Sequence, residues 1–301
     1  MYDGWYLVAF DSELAGALTS VTVGDIPLVL VRDGNRVRAF DATCPHRGAN
    51  LAFGGRLDGQ VIVCPFHGKR VRLGAHTSER YCVREYPVLD WDGLVFLRWS
   101  QEHENGLGGM LKRLTSDDHV FGPRFALPMQ ISADMVIENA FDGSHFQPVH
   151  RVRNQPALTV RPDEAGSFVA EGVLEVPVSQ WQLGDGGETV SVPYTAHAYS
   201  PQLVLSSMSG DAPYWVVTGA TPTAEGSCVV RQALTVPATA GHAAHDMERV
   251  RYLVRQSRAG LEQDRAIWEH LRPPPQPRYA ADDATVLDFR RYCERFLRAA
   301  G

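Results

Sequence analysis

The segment CPHRGANLAFGGRLDGQVIVCPFHG, residues 44–68, constrains this chain more than any other. Cys44 and His46 stand one residue apart, Cys64 and His67 two apart, and seventeen residues separate His46 from Cys64. Two loops that each offer one thiolate and one imidazole can converge on a single site. Pro45 and Pro65 stiffen these loops, while Gly48 and Gly68 let backbone N–H groups come close. A Cys2His2 zinc site is one candidate, although zinc fingers place two Cys together and then two His. A [2Fe–2S] cluster with two Cys on one iron and two His on the other needs the mixed pairing found here.

The rest of the composition sets the context for that site. A chain of 301 residues, 44% hydrophobic and 21% charged, can build two domains with a full core. A net charge of -6 gives no reason to expect nucleic acid or an anionic membrane as partner. No apolar run reaches the roughly 18 residues that would span a bilayer. The opening MYDGWYLVAFDSEL has acids where a secretory signal would have a basic start. Five Cys are too few and too scattered for a disulfide framework. A cytoplasmic location is expected, where a Cys/His cluster binds metal more often than it crosslinks.

The first hundred residues read as a small antiparallel β domain. WYLVAF, IPLVLVR, RVRAFD, VIVCPF and LVFLRW are strand candidates, punctuated by Asp33-Gly34-Asn35, Gly54-Gly55, Asp58-Gly59 and Asp92-Gly93. The polar, Gly-rich stretch Ser100 to Gly109 places a boundary, giving domains 1–105 and 106–301. In the second part, strands run from Ser167 to Pro237, flanked by a helix from Ser132 to about Phe146. A second helix runs from His242 to about Leu271, interrupted near Gly260 and ended by the run Pro273 to Pro277. The fold class is α+β.

ENAFDGSHFQPVH, Glu138 to His150, carries the second constellation. On one helix Glu138, Asp142 and His145 would share a face, with Pro148 ending the helix and His150 on the exit turn. Two His at that distance offer two nitrogen ligands. Asp264 is the candidate anionic ligand, because Leu261, Asp264, Trp268 and Leu271 form one helical stripe. A carboxylate buried among apolar residues must be paired, protonated or bound to metal. Two His and one carboxylate make a facial triad for non-haem Fe(II) with positions left for O2. Plain core histidines, and an ion pair from Asp264 to Arg255 or Arg258, are the structural alternatives.

The motifs Cys44-Pro45-His46-Arg47-Gly48 and Cys64-Pro65-Phe66-His67-Gly68, with Glu138, Asp142, His145 and His150 at matching spacings, resemble the Rieske non-haem iron oxygenases. Gln263 to His270 and Asp288 to Tyr292 are similar to the 3-ketosteroid 9α-hydroxylase and cholesterol 7-desaturase branch. The resemblance implies a Rieske domain followed by a helix-grip, START-like catalytic domain. It implies a [2Fe-2S] Rieske cluster on Cys44, His46, Cys64 and His67, and Fe(II) on His145, His150 and Asp264, with O2 as co-substrate. Asp142 would bridge by hydrogen bonds to His46 or His67 of a neighbouring subunit in a homotrimer, and Glu138 would lie near the iron. Electrons would come from a ferredoxin or a flavin-dependent NAD(P)H reductase, and the outcome would be mono- or dioxygenation, or desaturation. Ala49 and Phe66 stand where respiratory Rieske proteins carry a disulfide brace, and Lys69 stands where many oxygenases carry Trp.

An apolar substrate pocket is expected from Phe141, Phe146, Tyr194, Tyr199, Met208 and Trp215. His242 and His245 beside Asp246 are read as solvated or capping groups, and His76, His103, His119, His197 and His270 have no partner pattern. Lys69, Arg70 and Arg72 form either a docking face or an ordinary strand edge. The rival function is an electron-transfer or redox-sensing protein whose C-terminal domain holds a hydrophobic ligand.

Overall fold

A computed structural model describes every residue except 75–79, 115–117, 179–187, 225, 273 and 298–301. His76 and Pro273 therefore lie outside the described residues. The N-terminal strands are β1 (Trp5–Phe10), β2 (Leu18–Val23), β3 (Ile26–Asp33), β4 (Arg36–Asp41), β5 (Arg56–Asp58), β6 (Val61–Val63), β7 (Arg70–Leu73), β8 (Cys82–Val83), β9 (Glu85–Tyr86), β10 (Val88–Trp91) and β11 (Leu94–Arg98). They form sheets in the orders β1-β11-β10, β2-β3-β4-β9 and β5-β6-β7-β8. The turn signals act as expected. Asp33 pairs with Arg36 across Gly34-Asn35, and Trp91 pairs with Leu94 across Asp92-Gly93. Asp92 and Gly93 have φ of 47° and 68°, the left-handed pair a two-residue hairpin requires.

The C-terminal strands are β12 (His119–Phe121), β13 (Phe125–Met129), β14 (Thr159–Pro162), β15 (Phe168–Pro177), β16 (Thr189–Ser200), β17 (Leu203–Met208), β18 (Tyr214–Ala224) and β19 (Ser227–Pro237). They build one antiparallel sheet in the order β12-β19-β18-β17-β16-β15-β14, with β13 also pairing β19. A 26-residue helix, Ala243–Trp268, lies across it and buries Val250, Leu253, Val254 and Leu261. That is a helix-grip arrangement behind a β domain, as expected.

The two halves share a core. Leu7 and Phe10 of β1 and Phe96 of β11 pack against Leu203, Leu205 and Val217 of the large sheet. Polar ties cross the same seam: Thr221 Oγ1 donates to the Leu7 carbonyl at 2.9 Å, and Arg231 forks onto Glu13 at 2.9 and 3.0 Å.

Three helical expectations need correction. The helix from Ser132 is in fact Ala133–Glu138, extended by a 3-10 turn Asn139–Phe141. Asp142 is then extended, with ψ of 98°, and its Oδ1 accepts from the Ser144 N–H at 2.9 Å and the Ser144 Oγ at 2.6 Å. Such a side-chain turn competes with the helical ladder and breaks it. Glu138, Asp142 and His145 therefore do not share one helical face. Pro148 does not end a helix either. It sits in the first turn of a new one, Phe146–His150, where its missing N–H is tolerated, and Arg151 closes that helix at φ 59°. Finally, the long helix runs unbroken through Gly260 and stops at Trp268 rather than Leu271.

Candidate metal centres and the cavity behind them

The two Cys/His loops are near copies of each other. In the first, the Cys44 N–H donates to Ala49 O at 2.8 Å and the Gly48 N–H to Cys44 O at 2.9 Å. In the second, the Cys64 N–H donates to Lys69 O at 2.8 Å and the Gly68 N–H to Cys64 O at 3.0 Å. Gly48 and Gly68 both hold positive φ, 76° and 65°, which is why each loop ends its motif in Gly. The repeated turn brings two buried cysteines together and sets the His46 and His67 rings 4.8 Å apart, nearly perpendicular.

Burial pushes the Cys44 thiol up, and the Cys64 sulfur adds to the shift. Burial also lowers the His46 pKa, helped by the positive charges of His67, Lys69, Arg47 and Arg80, which leaves the neutral ring that binds metal. His46 Nδ1 is buried without a hydrogen-bond partner, a costly state unless the nitrogen ligates. These residues fit the cluster. Lys69 lies 5.9 Å from the ring of Tyr81, which itself packs edge-on to His46 at 5.8 Å. Arg70 is engaged with Asp58 at 2.8 Å.

His145, His150 and Asp264 form the second centre, with one ligand atom from each lying within 4.8 Å of the others. The broken helix serves this site. His145 precedes the Phe146–His150 turn and His150 ends it, so their rings stand 5.0 Å apart at 84°. Each Nδ1 is fixed from behind: His145 donates to the Asp142 carbonyl at 2.6 Å, and His150 to Gln263 Oε1 at 3.2 Å. His150 Nε2 is thereby turned to Asp264, while His145 Nε2 lies 2.9 Å from Asn139 Nδ2. Asp264, 8% exposed, faces His150 Nε2 at 3.3 Å. Burial acts to lower the His150 pKa, and the Asp264 carboxylate and Gln263 outweigh it, so the net shift is upward. His145 is shifted down, by burial first and by His150 second. Arg255 and Arg258 are not on Asp264; they lie over the rings of Tyr252 and Phe125. Two imidazoles and a buried carboxylate, with no Lys or Arg paired to Asp264 among the described residues, fit a divalent metal.

Gly260 completes the geometry. A β-carbon there would sit 3.7 Å from His150 Cε1 and Nδ1, so the helix face at this position is the wall against which the ring rests.

Glu138 does not join the centre. Its carboxylate is forked by Arg290 at 2.5 and 2.7 Å, and the neighbouring Asn139 instead reaches His145 Nε2 at 2.9 Å. Asp142 keeps its carboxylate at the surface side, with Oδ2 4.0 Å from His145 Nδ1.

A cavity of about 540 Å3 opens from the triad between the sheet and the long helix. Its walls combine apolar residues such as Val176, Val192, Met208, Val216 and Leu253 with polar ones such as Ser206, Gln232 and Gln256. Phe146, Tyr194 and Met208 line it as expected, but Phe141, Tyr199 and Trp215 do not. Phe141 is stacked on Phe289, Tyr199 belongs to the inter-domain core, and strand parity turns Tyr214 rather than Trp215 inward. A smaller space of about 200 Å3 reaches the triad from the other side, bounded by Met135, Glu138, Asp142 and Ile267. Among the described residues no helix is long and apolar enough to cross a membrane.

Comparison with known proteins agrees with this geometry. Residues 4–86 match the Rieske [2Fe-2S] domain family, and residues 95–297 match the 3-Ketosteroid 9alpha-hydroxylase C-terminal domain family. The chain is 25% identical to Cholesterol 7-desaturase nvd of Bombyx mori over 98% of its own length and 69% of that protein's. It is 29% identical to the Carnitine monooxygenase oxygenase subunit of Escherichia coli (strain K12), over 48% of this chain and 46% of that one. Among solved structures, dicamba monooxygenase bound to 3,6 dichlorosalicylic acid superposes with a TM-score of 0.73 at 20% identity, covering 97% of this chain and 96% of that one.

Proposed function

We propose a substrate class and a division of labour from one premise: the chain belongs to the Rieske non-haem iron oxygenases, its C-terminal part to the 3-ketosteroid 9α-hydroxylase family. Proteins of this kind carry a Rieske [2Fe-2S] cluster and a mononuclear iron, and the chain is read as the terminal oxygenase that hydroxylates or desaturates a mostly apolar small molecule. The names of its relatives, with their sterol and steroid substrates, and the apolar cavity favour a steroid or a similarly rigid hydrocarbon skeleton. Residues 1–105 form the electron-carrying domain in this reading and residues 106–301 the catalytic one.

His145, His150 and Asp264 would hold an iron that, when bound, would supply O2 activation, and the cluster would supply the electrons. The chain supplies everything around that chemistry. The Asp142 carbonyl and Gln263 Oε1 orient the two imidazoles by engaging each Nδ1, which leaves the Nε2 side of each ring to the metal. Asp264 brings the negative charge, and the surrounding burial keeps bulk water away from it. The cavity wall orients the substrate, and at about 540 Å3 it falls within the range of roughly 300–1,000 Å3 usual for small-molecule sites. Cys44, Cys64, His46 and His67 hold the cluster. His67 is exposed at the protein surface, where a donor can reach it. Asp142 links the centre to His46 or His67 of a neighbouring copy in a homotrimer, and a ferredoxin or flavin-dependent reductase feeds the cluster.

One observation carries the reading: two oriented imidazoles and a buried carboxylate converge on the end wall of an apolar cavity. An electron-transfer protein or sensor has no use for that convergence. Iron analysis after reconstitution tests it. Three irons per chain, falling to two in His145→Ala with the Rieske absorption intact, support the oxygenase. Two irons in the unaltered protein would leave the sensor standing.

A further inference from the structure

Among the polar side chains that line the cavity, three form one hydrogen-bonded row. Ser257 of the long helix donates from Oγ to Gln232 Oε1 at 2.9 Å, and Gln232 Nε2 donates to Thr218 Oγ1 at 3.0 Å. All three residues line the cavity. Thr218 and Gln232 are 8% and 7% exposed and stand opposite each other on β18 and β19.

The chemistry of the row fixes its direction. An amide oxygen only accepts and an amide nitrogen only donates, so the sequence Ser257, Gln232, Thr218 runs one way. Thr218 Oγ1 is an acceptor at its end, and its own hydrogen is left to donate. Among the described residues, no acceptor takes that hydrogen. A buried hydroxyl donor facing an apolar space favours a guest that brings an acceptor.

Resting on the oxygenase reading, we propose that Thr218, held by Gln232 and Ser257, is a specificity anchor for a carbonyl or hydroxyl oxygen on the substrate. The selected class is an apolar polycycle that carries an acceptor oxygen. Gln232 and Ser257 are positioning residues and Thr218 makes the contact.

Binding of a 3-ketosteroid and of its deoxo analogue, the same ring skeleton without the carbonyl, tests this on the iron- and sulfide-reconstituted protein by equilibrium dialysis. The unaltered protein should prefer the ketone by about tenfold, since the deoxo guest leaves the Thr218 donor unmet. Thr218→Val should bring the ratio to about one by weakening the ketone alone, and Thr218→Ser should restore it. A merely structural role for Thr218 would weaken both guests together and leave the ratio unchanged. An unaltered protein with no preference, or a Val variant that keeps it, overturns the anchor. Iron content is read on the same preparations. Absence of the third iron would sink the oxygenase reading, whereas the preference needs no turnover and decides the anchor on its own.

Discussion

Replacing Gly260 separates helix stability from ligand placement, because the two should move in opposite directions. Gly inside a helix is less favourable than Ala by about 1 kcal/mol. The β-carbon of Gly260→Ala would lie 3.7 Å from His150 Cε1 and Nδ1, an ordinary contact. That variant should gain most of the 1 kcal/mol, roughly 2–4 °C in Tm, and keep all its iron. Gly260→Val is different. Each γ-carbon lies about 1.5 Å beyond the β-carbon, and a helix holds Val in one preferred χ1 well, so the methyl groups cannot swing freely clear of the ring. The crowding costs about 1–3 kcal/mol if nothing yields. His150, at the end of a five-residue turn, is the group able to yield, and its shift breaks the 3.3 Å approach to Asp264. Metal affinity should fall by about 10–100-fold, the effect of a misdirected ligand. Thermal melts paired with iron-to-protein ratios and the visible Rieske spectrum check both variants. A Val variant that retains three irons, or an Ala variant that loses one, would show that the helix wall does not position His150.

Two further outcomes follow from the structure. Glu13→Gln should lower stability by about 1–2 kcal/mol, the figure for breaking a buried pair reduced because Glu13 is partly solvated. Burial pushes the Glu13 pKa up, but Arg231 and the Phe10 N–H outweigh it, so the folded value lies below the ordinary 4.5. The stabilisation is thus present above that ordinary value and lost as pH falls through the lower folded one; thermal melts from pH 7 to pH 3 should show the variant and the unaltered protein converging in acid. A gap that widens on acidification would contradict the assignment. Asp142→Asn can keep the Ser144 bonds through its amide oxygen, so both metal sites should load while single-turnover electron transfer slows by orders of magnitude. Unchanged single-turnover rates would remove Asp142 from the route.

The parts of this protein most legible in the sequence are those fixed by spacing. Cys44/His46 and Cys64/His67 predict a two-loop cluster because both the residue types and the glycines that end each loop are local. Asp264 was readable from the stripe it shares with Leu261 and Trp268, since a carboxylate on an apolar face demands a partner. Less legible was the chain around His145. A continuous helix over Glu138 to His145 satisfies the periodicity, and only the side-chain turn at Asp142-Gly143-Ser144 breaks it. Gly260 looked like a breaker because sequence alone does not reveal a ring packed against it. Tyr214 and Trp215 were indistinguishable without strand parity, which is set by pairing with β19. Asn139 and Gln263 carry no motif of their own and emerge only from their contacts with the two imidazoles.

The triad is bordered by two separate spaces, a wide one lined by the sheet and a narrow one beside Asp142. Val176, Val192, Met208 and Val216 belong to the wide space alone, and Asp142 to the narrow one alone. Evolution, or an engineer, can therefore resculpt the wide wall of this scaffold without altering the side on which Asp142 stands.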